Sequence, residues 1–200
     1  MVESAKKSKK ASPYYKMLWS EDIPKVISED ANGNLTEIDV IAGELNGQKA
    51  LLPNPDSWAA DVNNNVQIWT IKLNPNAKFS IEGTDESITR TLYFYEGNEI
   101  EVDSTKVSVK RLIHLNSKEE VHIENSSETA YLFFLQGKPI NEPLVQHGPF
   151  VANSEDEIQE AMQEYRKTQF GGWPYSTNEP VHDKNSGRFA KFVDGKTEKK

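Results

Sequence analysis

Between Leu35 and Phe134 apolar and polar residues alternate with a period of two, in short runs rich in Val, Ile, Tyr, Phe and Thr. The runs are Glu37 to Ala42, Val66 to Leu73, Lys78 to Ile81, Arg90 to Tyr95, Glu99 to Val102, Val107 to Leu115, Glu120 to Ile123 and Ala130 to Leu135. Turn chemistry separates them at Asn32-Gly33, Asn46-Gly47, Asn74-Pro75-Asn76 and Glu96-Gly97-Asn98. A succession of strands with no helical period between them predicts an all-β sandwich or barrel.

The alternation also assigns faces. Leu92 and Phe94 share one side of their strand and Tyr93 and Tyr95 the other, while Ala130 to Leu135 is apolar on both sides. These strands are predicted to be covered on both faces. From Glu120 to Glu124 the pattern is that of a half-exposed strand, with Val121 and Ile123 inward and Glu120, His122 and Glu124 outward.

After residue 136 the period changes. Ser154 and Glu157 form a capping box, and Ile158, Ala161, Met162 and Tyr165 mark one helical stripe. Acids crowd its start, Arg166 and Lys167 sit near its end, and Gly171-Gly172 are the predicted stop. The division predicted is a flexible basic arm over residues 1–13, a β-domain over 14–150, a capping helix over 151–172 and a polar tail over 173–200.

Composition narrows the function classes. The chain has 200 residues, 36% hydrophobic and 10% aromatic, enough to build a core, and its length permits one large or two small domains. It contains no cysteine, which removes disulfides, thiolate nucleophiles and cysteine-based metal sites and favours an intracellular setting. A formal net charge of -8 opposes a dedicated nucleic-acid binder. The cluster Lys6, Lys7, Lys9 and Lys10 reads as a solvated arm before it reads as an address or a nucleic-acid contact. The longest apolar run, Ala130 to Leu135, is far short of the about 20 residues that span a bilayer. No secretory pattern follows the lysines, so a cytoplasmic protein is expected.

Candidate chemistry is sparse. His114, His122, His147 and His182 are the histidines, and only His122 with Glu124 has the one-apart spacing that seeds a metal site on a strand. Their shared polar face with Glu120 reads as solvated. His114 is expected to be a structural or surface residue, and His147 and His182 fall in a turn and in the tail. Asp85, Glu86, Glu119, Glu120 and Asp156 could supply a carboxylate pair by number, though abundance alone makes no site. There is no nucleophile elbow and no phosphate loop. No catalytic, cofactor-binding or metal residue is assigned from the residues alone.

One long stretch carries a resemblance. The run from Gln136 to Ser154 (QGKPINEPLVQHGPFVANS), the following Glu157-Ile-Gln-Glu-Ala161 and Phe170-Gly-Gly-Trp173 resemble the C-terminal region of the pirin family. Leu18-Trp-Ser-Glu-Asp-Ile-Pro24 and Val40-Ile-Ala-Gly-Glu44 resemble the entry to the same domain, and Pro55-Asp-Ser-Trp-Ala-Ala60 with the tail from His182 looks like a bacterial branch. The resemblance implies an RmlC-like, cupin-type double-stranded β-helix barrel or sandwich with one C-terminal helix. It further implies that the family's metal, usually iron, sits in an N-terminal cupin on three histidines and a glutamate, none of which can be carried onto this chain. The arm then reads as a remnant of the linker in a truncated bicupin.

Two functions are expected. The first is a module that is non-catalytic alone, serving a metal-bearing cupin partner or a regulatory protein. The second is half of a quercetin 2,3-dioxygenase-like enzyme whose metal site lies in the other half. In the first case Trp19, Trp173 and Tyr175 are candidates for an exposed docking patch, or they seal the domain. A third role, ligand binding inside the barrel, would use Tyr93, Tyr95, Phe133 and Trp69 as lining unless these simply fill it. Oligomeric state stays open.

Overall fold

A computed structural model describes residues 5–12, 14–173, 182–192 and 194–200. Its strands are β1 (Lys25–Glu29), β2 (Leu35–Ala42), β3 (Glu44–Leu45), β4 (Gln48–Lys49), β5 (Gln67–Leu73), β6 (Lys78–Ile81), β7 (Thr89–Glu96) and β8 (Glu99–Val102). There follow β9 (Thr105–Ser108), β10 (Arg111–Leu115), β11 (Val121–Asn125), β12 (Ala130–Gly137), β13 (Val145–His147), β14 (Phe150–Ala152), helix α1 (Glu155–Thr168), β15 (Phe189–Lys191) and β16 (Thr197–Lys199). The described residues divide into two compact units, one comprising Leu18–Ile140 and the other Ala5–Met17 with Asn141–Lys200.

In the first unit an antiparallel six-stranded sheet runs β1-β2-β5-β12-β7-β10 and a four-stranded sheet runs β6-β11-β8-β9. From β5 onward the chain passes repeatedly from one sheet to the other, the winding of a double-stranded β-helix. Ile38, Val40, Trp69, Ile71, Leu73, Leu92, Phe94, Leu132 and Phe134 of the large sheet meet Phe79, Ile81, Ile100, Val102, Val121 and Ile123 of the small one in a single core. Each such side chain contributes about 1.5–3 kcal/mol when fully buried, so the alternating pattern is what holds the sheets together.

The largest polar side chain buried among the described residues is an arginine, beside the smaller buried Thr36 and Asn125. Arg90 of β7 is 1% exposed, and its guanidinium donates to the carbonyls of Asn116 (2.9 Å), Ser117 (3.2 Å), Glu119 (3.0 Å) and Ile81 (3.3 Å). It thereby ties the large sheet to the edge strand of the small sheet and to the loop before β11. Burial draws its pKa down, yet a guanidinium remains cationic at neutral pH.

Two expectations are corrected here. The predicted strand from Val107 to Leu115 is two strands in different sheets, β9 and β10. Lys110 takes a left-handed φ of 65° and donates its N–H to Phe94 O at 2.8 Å, which turns the chain across the gap between sheets. Nor are β7 and β12 covered on both faces, because Tyr93 and Tyr95 are 37% and 47% exposed. The alternating Lys25–Glu29, paired with β2, is a strand the pattern did not flag.

The second unit packs a β13–β14 hairpin with α1. Ser154 caps the helix by accepting from Glu157 N at 3.3 Å, and Glu157 reaches back to Asn153 N at 2.9 Å, one residue before the expected partner. Asn153, Lys6 and Lys10 hold the Glu157 carboxyl below its usual pKa, the Asn153 N–H most strongly. The helix ends at Thr168, before the predicted glycines, where Gln169 turns left-handed (φ 51°) and donates to Tyr165 O. Ile158 is fully buried, whereas Tyr165 packs edge-on against Phe150 and Phe170. The stretch read as a free basic arm carries a helical turn at Lys6–Ser8, with Lys6 paired to Glu157 at 3.0 Å and Lys10 to Glu160 at 2.9 Å.

Candidate functional site

A metal centre inside this fold would need imidazole or carboxylate donors converging from the inner faces of the strands. Those positions carry hydrocarbon: Phe79, Ile81, Val121 and Ile123 from the small sheet, and Trp69, Leu92, Leu132 and Phe134 from the large one. Among the described residues no group of three or more His, Cys, Asp or Glu side chains comes together. The described inner-face residues do not fit an iron centre.

The histidines are dispersed. His122 is exposed on the outer face of β11, with Nδ1 at 2.8 Å from Ser80 Oγ and 4.0 Å from Glu120. Glu124, on the same face, is paired with Lys78 at 2.8 Å, which occupies the carboxylate a metal would need. His114 is exposed on β10, and His147 on β13 of the other unit. His182 stacks edge-on against Phe189 at 4.7 Å. Of the candidate carboxylates, Ser87 lowers the Asp85 pKa by hydrogen bonding, Glu86 pairs with Lys118, and Asp156 lies in the first turn of α1.

What the fold does build is a polar cleft of about 430 Å³ between the sheets, on the open side where β6 faces Ser28 of β1, β5 and the β3–β4 hairpin. Asn65 is its hub. It takes a left-handed φ of 47°, donates to Thr84 Oγ1 at 2.9 Å, and accepts from Gln136 Nε2 at 3.1 Å and Gln67 Nε2 at 3.3 Å. Gln67 Oε1 in turn accepts from Glu44 N at 2.8 Å, an approach possible because residue 43 is glycine: a Cβ there would lie 1.8 Å from that oxygen. Trp69 also lines the cleft, is 5% exposed, and its Nε1–H has no acceptor.

Asp30 holds the rims of this cleft together. Its carboxylate accepts from Asn32 N (2.8 Å) and Asn34 N (2.9 Å) in the turn after β1 and from Lys78 N (3.0 Å) at the start of β6. Burial alone would raise its pKa, and the hydrogen bonds from Asn34, Asn32 and Lys78 outweigh it, leaving the carboxyl below its ordinary value. The sequence contained Asn65, Gln67 and Gln136, but pairs of amides far apart in the chain leave no spacing signal.

A second feature lies on the outside of the large sheet. Tyr93 packs against Phe133 at 6.5 Å and Tyr95 against Tyr131 at 6.3 Å, and Leu112, 47% exposed, is registered beside Tyr93. Of the aromatics expected to line the interior, only Trp69 does so, packed at 4.8 Å on Phe134. Tyr93, Tyr95 and Phe133 point outward. Of the candidate docking residues, Trp19 is buried, Trp173 is 53% exposed and Tyr175 lies outside the described residues.

The two facing sheets wound from alternating strands are those of a cupin. Residues 68–171 match the model of the pirin C-terminal cupin domain, and the chain belongs to the pirin family. It is 35% identical over 152 residues to a pirin-like protein of Arabidopsis thaliana, covering 74% of this chain and 51% of that protein. It is 32% identical over 168 residues to Pirin-1 of the same plant, covering 82% and 54%. Among solved structures it is similar to a quercetin 2,3-dioxygenase from Acinetobacter baumannii, with a TM-score of 0.69, 28% identity and coverage of 86% of this chain and 55% of that one. The chain spans about half the length of the curated relatives it matches. No helix of the described residues is long and apolar enough to cross a membrane.

Proposed function

We propose that this pirin-type cupin domain performs no metal chemistry of its own and serves as a structural and interaction module for a second, metal-bearing cupin domain. The observation that carries this reading is that no carboxylate or imidazole lies on the buried inner faces among the described residues, where a metal would need donors. The half-exposed aromatics on β12 and β7 supply a surface of the kind a packed domain covers. Relatives of about twice the length favour a cupin domain as its occupant.

Elemental analysis of the purified, untagged chain tests the proposal. Iron, nickel, copper, manganese and zinc are each expected well below one per chain, and a stoichiometric metal overturns the reading. The second reading, half of a dioxygenase, is favoured by the name of the similar Acinetobacter enzyme. It predicts quercetin-dependent dioxygen uptake when this chain is mixed with the separately produced other half of that enzyme, at a rate neither half shows alone.

A further inference from the structure

We propose that the outer edge of β10 takes up an extended acidic peptide segment of a partner protein, which adds to the six-stranded sheet as one more strand. β10 ends that sheet. It pairs with β7 on one side, and among the described residues no strand pairs with its other side. An edge strand directs every second N–H and C=O away from its sheet, which is a template for a further strand. The inference concerns this edge and stands whether or not a cupin domain covers the outer face.

Charge selects the occupant. Lys25, Lys72, Lys78 and Lys106, the lysines within the strands of the two sheets, are each held by a carboxylate. Lys110 and Arg111, where β10 begins, are exposed and have no ion-pair partner among the described residues; the Arg111 guanidinium donates to Lys110 O at 3.2 Å. His114, also exposed, lies further along the same strand. In a chain of net charge -8 this edge is a local excess of cations. Pairing two copies here would double the positive charge along the edge, whereas a strand bearing Asp or Glu neutralises it. The neighbouring side chains add an apolar contact, since Leu112 is 47% exposed and registered against the half-exposed Tyr93 of β7. Arg111 and Leu112 are consecutive and so occupy opposite faces of the strand, which matches a peptide that alternates acidic and apolar residues.

The experiment is a titration of the ¹⁵N-labelled full chain with the capped peptide Glu-Val-Glu-Val-Glu-Val, up to about 1 mM to reach sub-millimolar affinities. The backbone amides of Arg111–Leu115 are followed against those of β1, the opposite edge of the same sheet. Saturable shifts are expected on β10 and not on β1. Arg111→Glu should weaken binding at least about tenfold while retaining the wild-type backbone spectrum, and a Lys-Val-Lys-Val-Lys-Val peptide should bind the wild-type chain at least about tenfold more weakly than the acidic one. Strand addition has a readout that charge attraction alone would not move. Methylating the peptide nitrogens of the glutamates, or separately those of the valines, removes one or the other alternating set of donors, so one methylated peptide should lose binding and the other keep it. The proposal is overturned by the absence of saturable shifts on β10, by equal binding of the basic peptide, or by two methylated peptides that behave alike. Shifts of the β10 amides on concentrating the chain alone would assign the edge to a second copy and overturn it too. If Arg111→Glu fails to fold, the comparison of acidic and basic peptides on the wild-type chain decides.

Discussion

The two sheets of the cupin unit share one core but have opposite outer faces. On the four-stranded sheet the outside is charged and internally paired, with Lys106 on Glu99 at 3.0 Å, Lys78 on Glu124 at 2.8 Å and His122 on Ser80. On the six-stranded sheet the β1–β2–β5 side is likewise paired, with Lys72 on Glu37 at 2.6 Å and Thr70 on Asp39 at 2.9 Å. Its β12–β7–β10 side carries Tyr131, Phe133, Tyr93, Tyr95 and Leu112. Folding requires only that the inner faces be apolar. An aromatic outer stripe is therefore surplus to the core, which is why it supports an interaction role where the charged face does not.

Neighbouring residues on one strand give the largest expected contrast. Phe134→Ala, on the inner face of β12, should cost about 3–5 kcal/mol in urea unfolding. Phe133→Ala, one residue away and facing outward, should cost no more than about 1 kcal/mol while lowering affinity for a second cupin domain. Comparable losses from both would mean that the outer stripe belongs to the core.

The largest buried polar side chain should come next. Arg90→Leu leaves carbonyls of Ile81, Asn116, Ser117 and Glu119 without their donor, and about 3 kcal/mol of stability should be lost by thermal or urea unfolding. A neutral result would mean that water replaces the guanidinium and that the sheets are held by hydrocarbon alone.

Asp30 links the two sheets in a pH-dependent way. Its folded pKa is depressed, so its contribution is complete above the ordinary carboxyl value of 3.8 and is lost as pH falls through the lower folded value. The wild-type advantage over Asp30→Ala in equilibrium unfolding should accordingly be constant near neutrality and shrink in acid. The smallest effect is expected on the charged face, where Lys106→Gln should change stability by no more than about 0.5 kcal/mol, because an exposed ion pair gains little over its hydrated partners.

Much of this arrangement was legible in the chain. Lys78–Ile81 and Glu99–Val102 have the predicted bounds, Val121 and Ile123 face inward, and Ser154 caps its helix. Such features depend on a two-residue or 3.6-residue period and on local turn chemistry, which neighbours in sequence specify. The split at Lys110 was not legible, because a left-handed turn on a lysine is stabilised by the carbonyl of Phe94, a partner from another strand. The cleft was hidden for the same reason. Asn65, Gln67, Thr84 and Gln136 are ordinary polar residues until β5 and β12 are set side by side.

The sequence by itself determined that the chain is a β-sandwich of pirin type with a capped helix, and which side chains share a face of each strand, because periodicity is a property of each segment. Only the tertiary structure decided that Tyr93 and Phe133 lie outside rather than within, that Arg90 bridges the sheets, and that distant amides converge on Asn65. A single strand's alternation names two faces without saying which one the second sheet covers. That choice is made when the sheets meet, by the apolar area that each pairing removes from water.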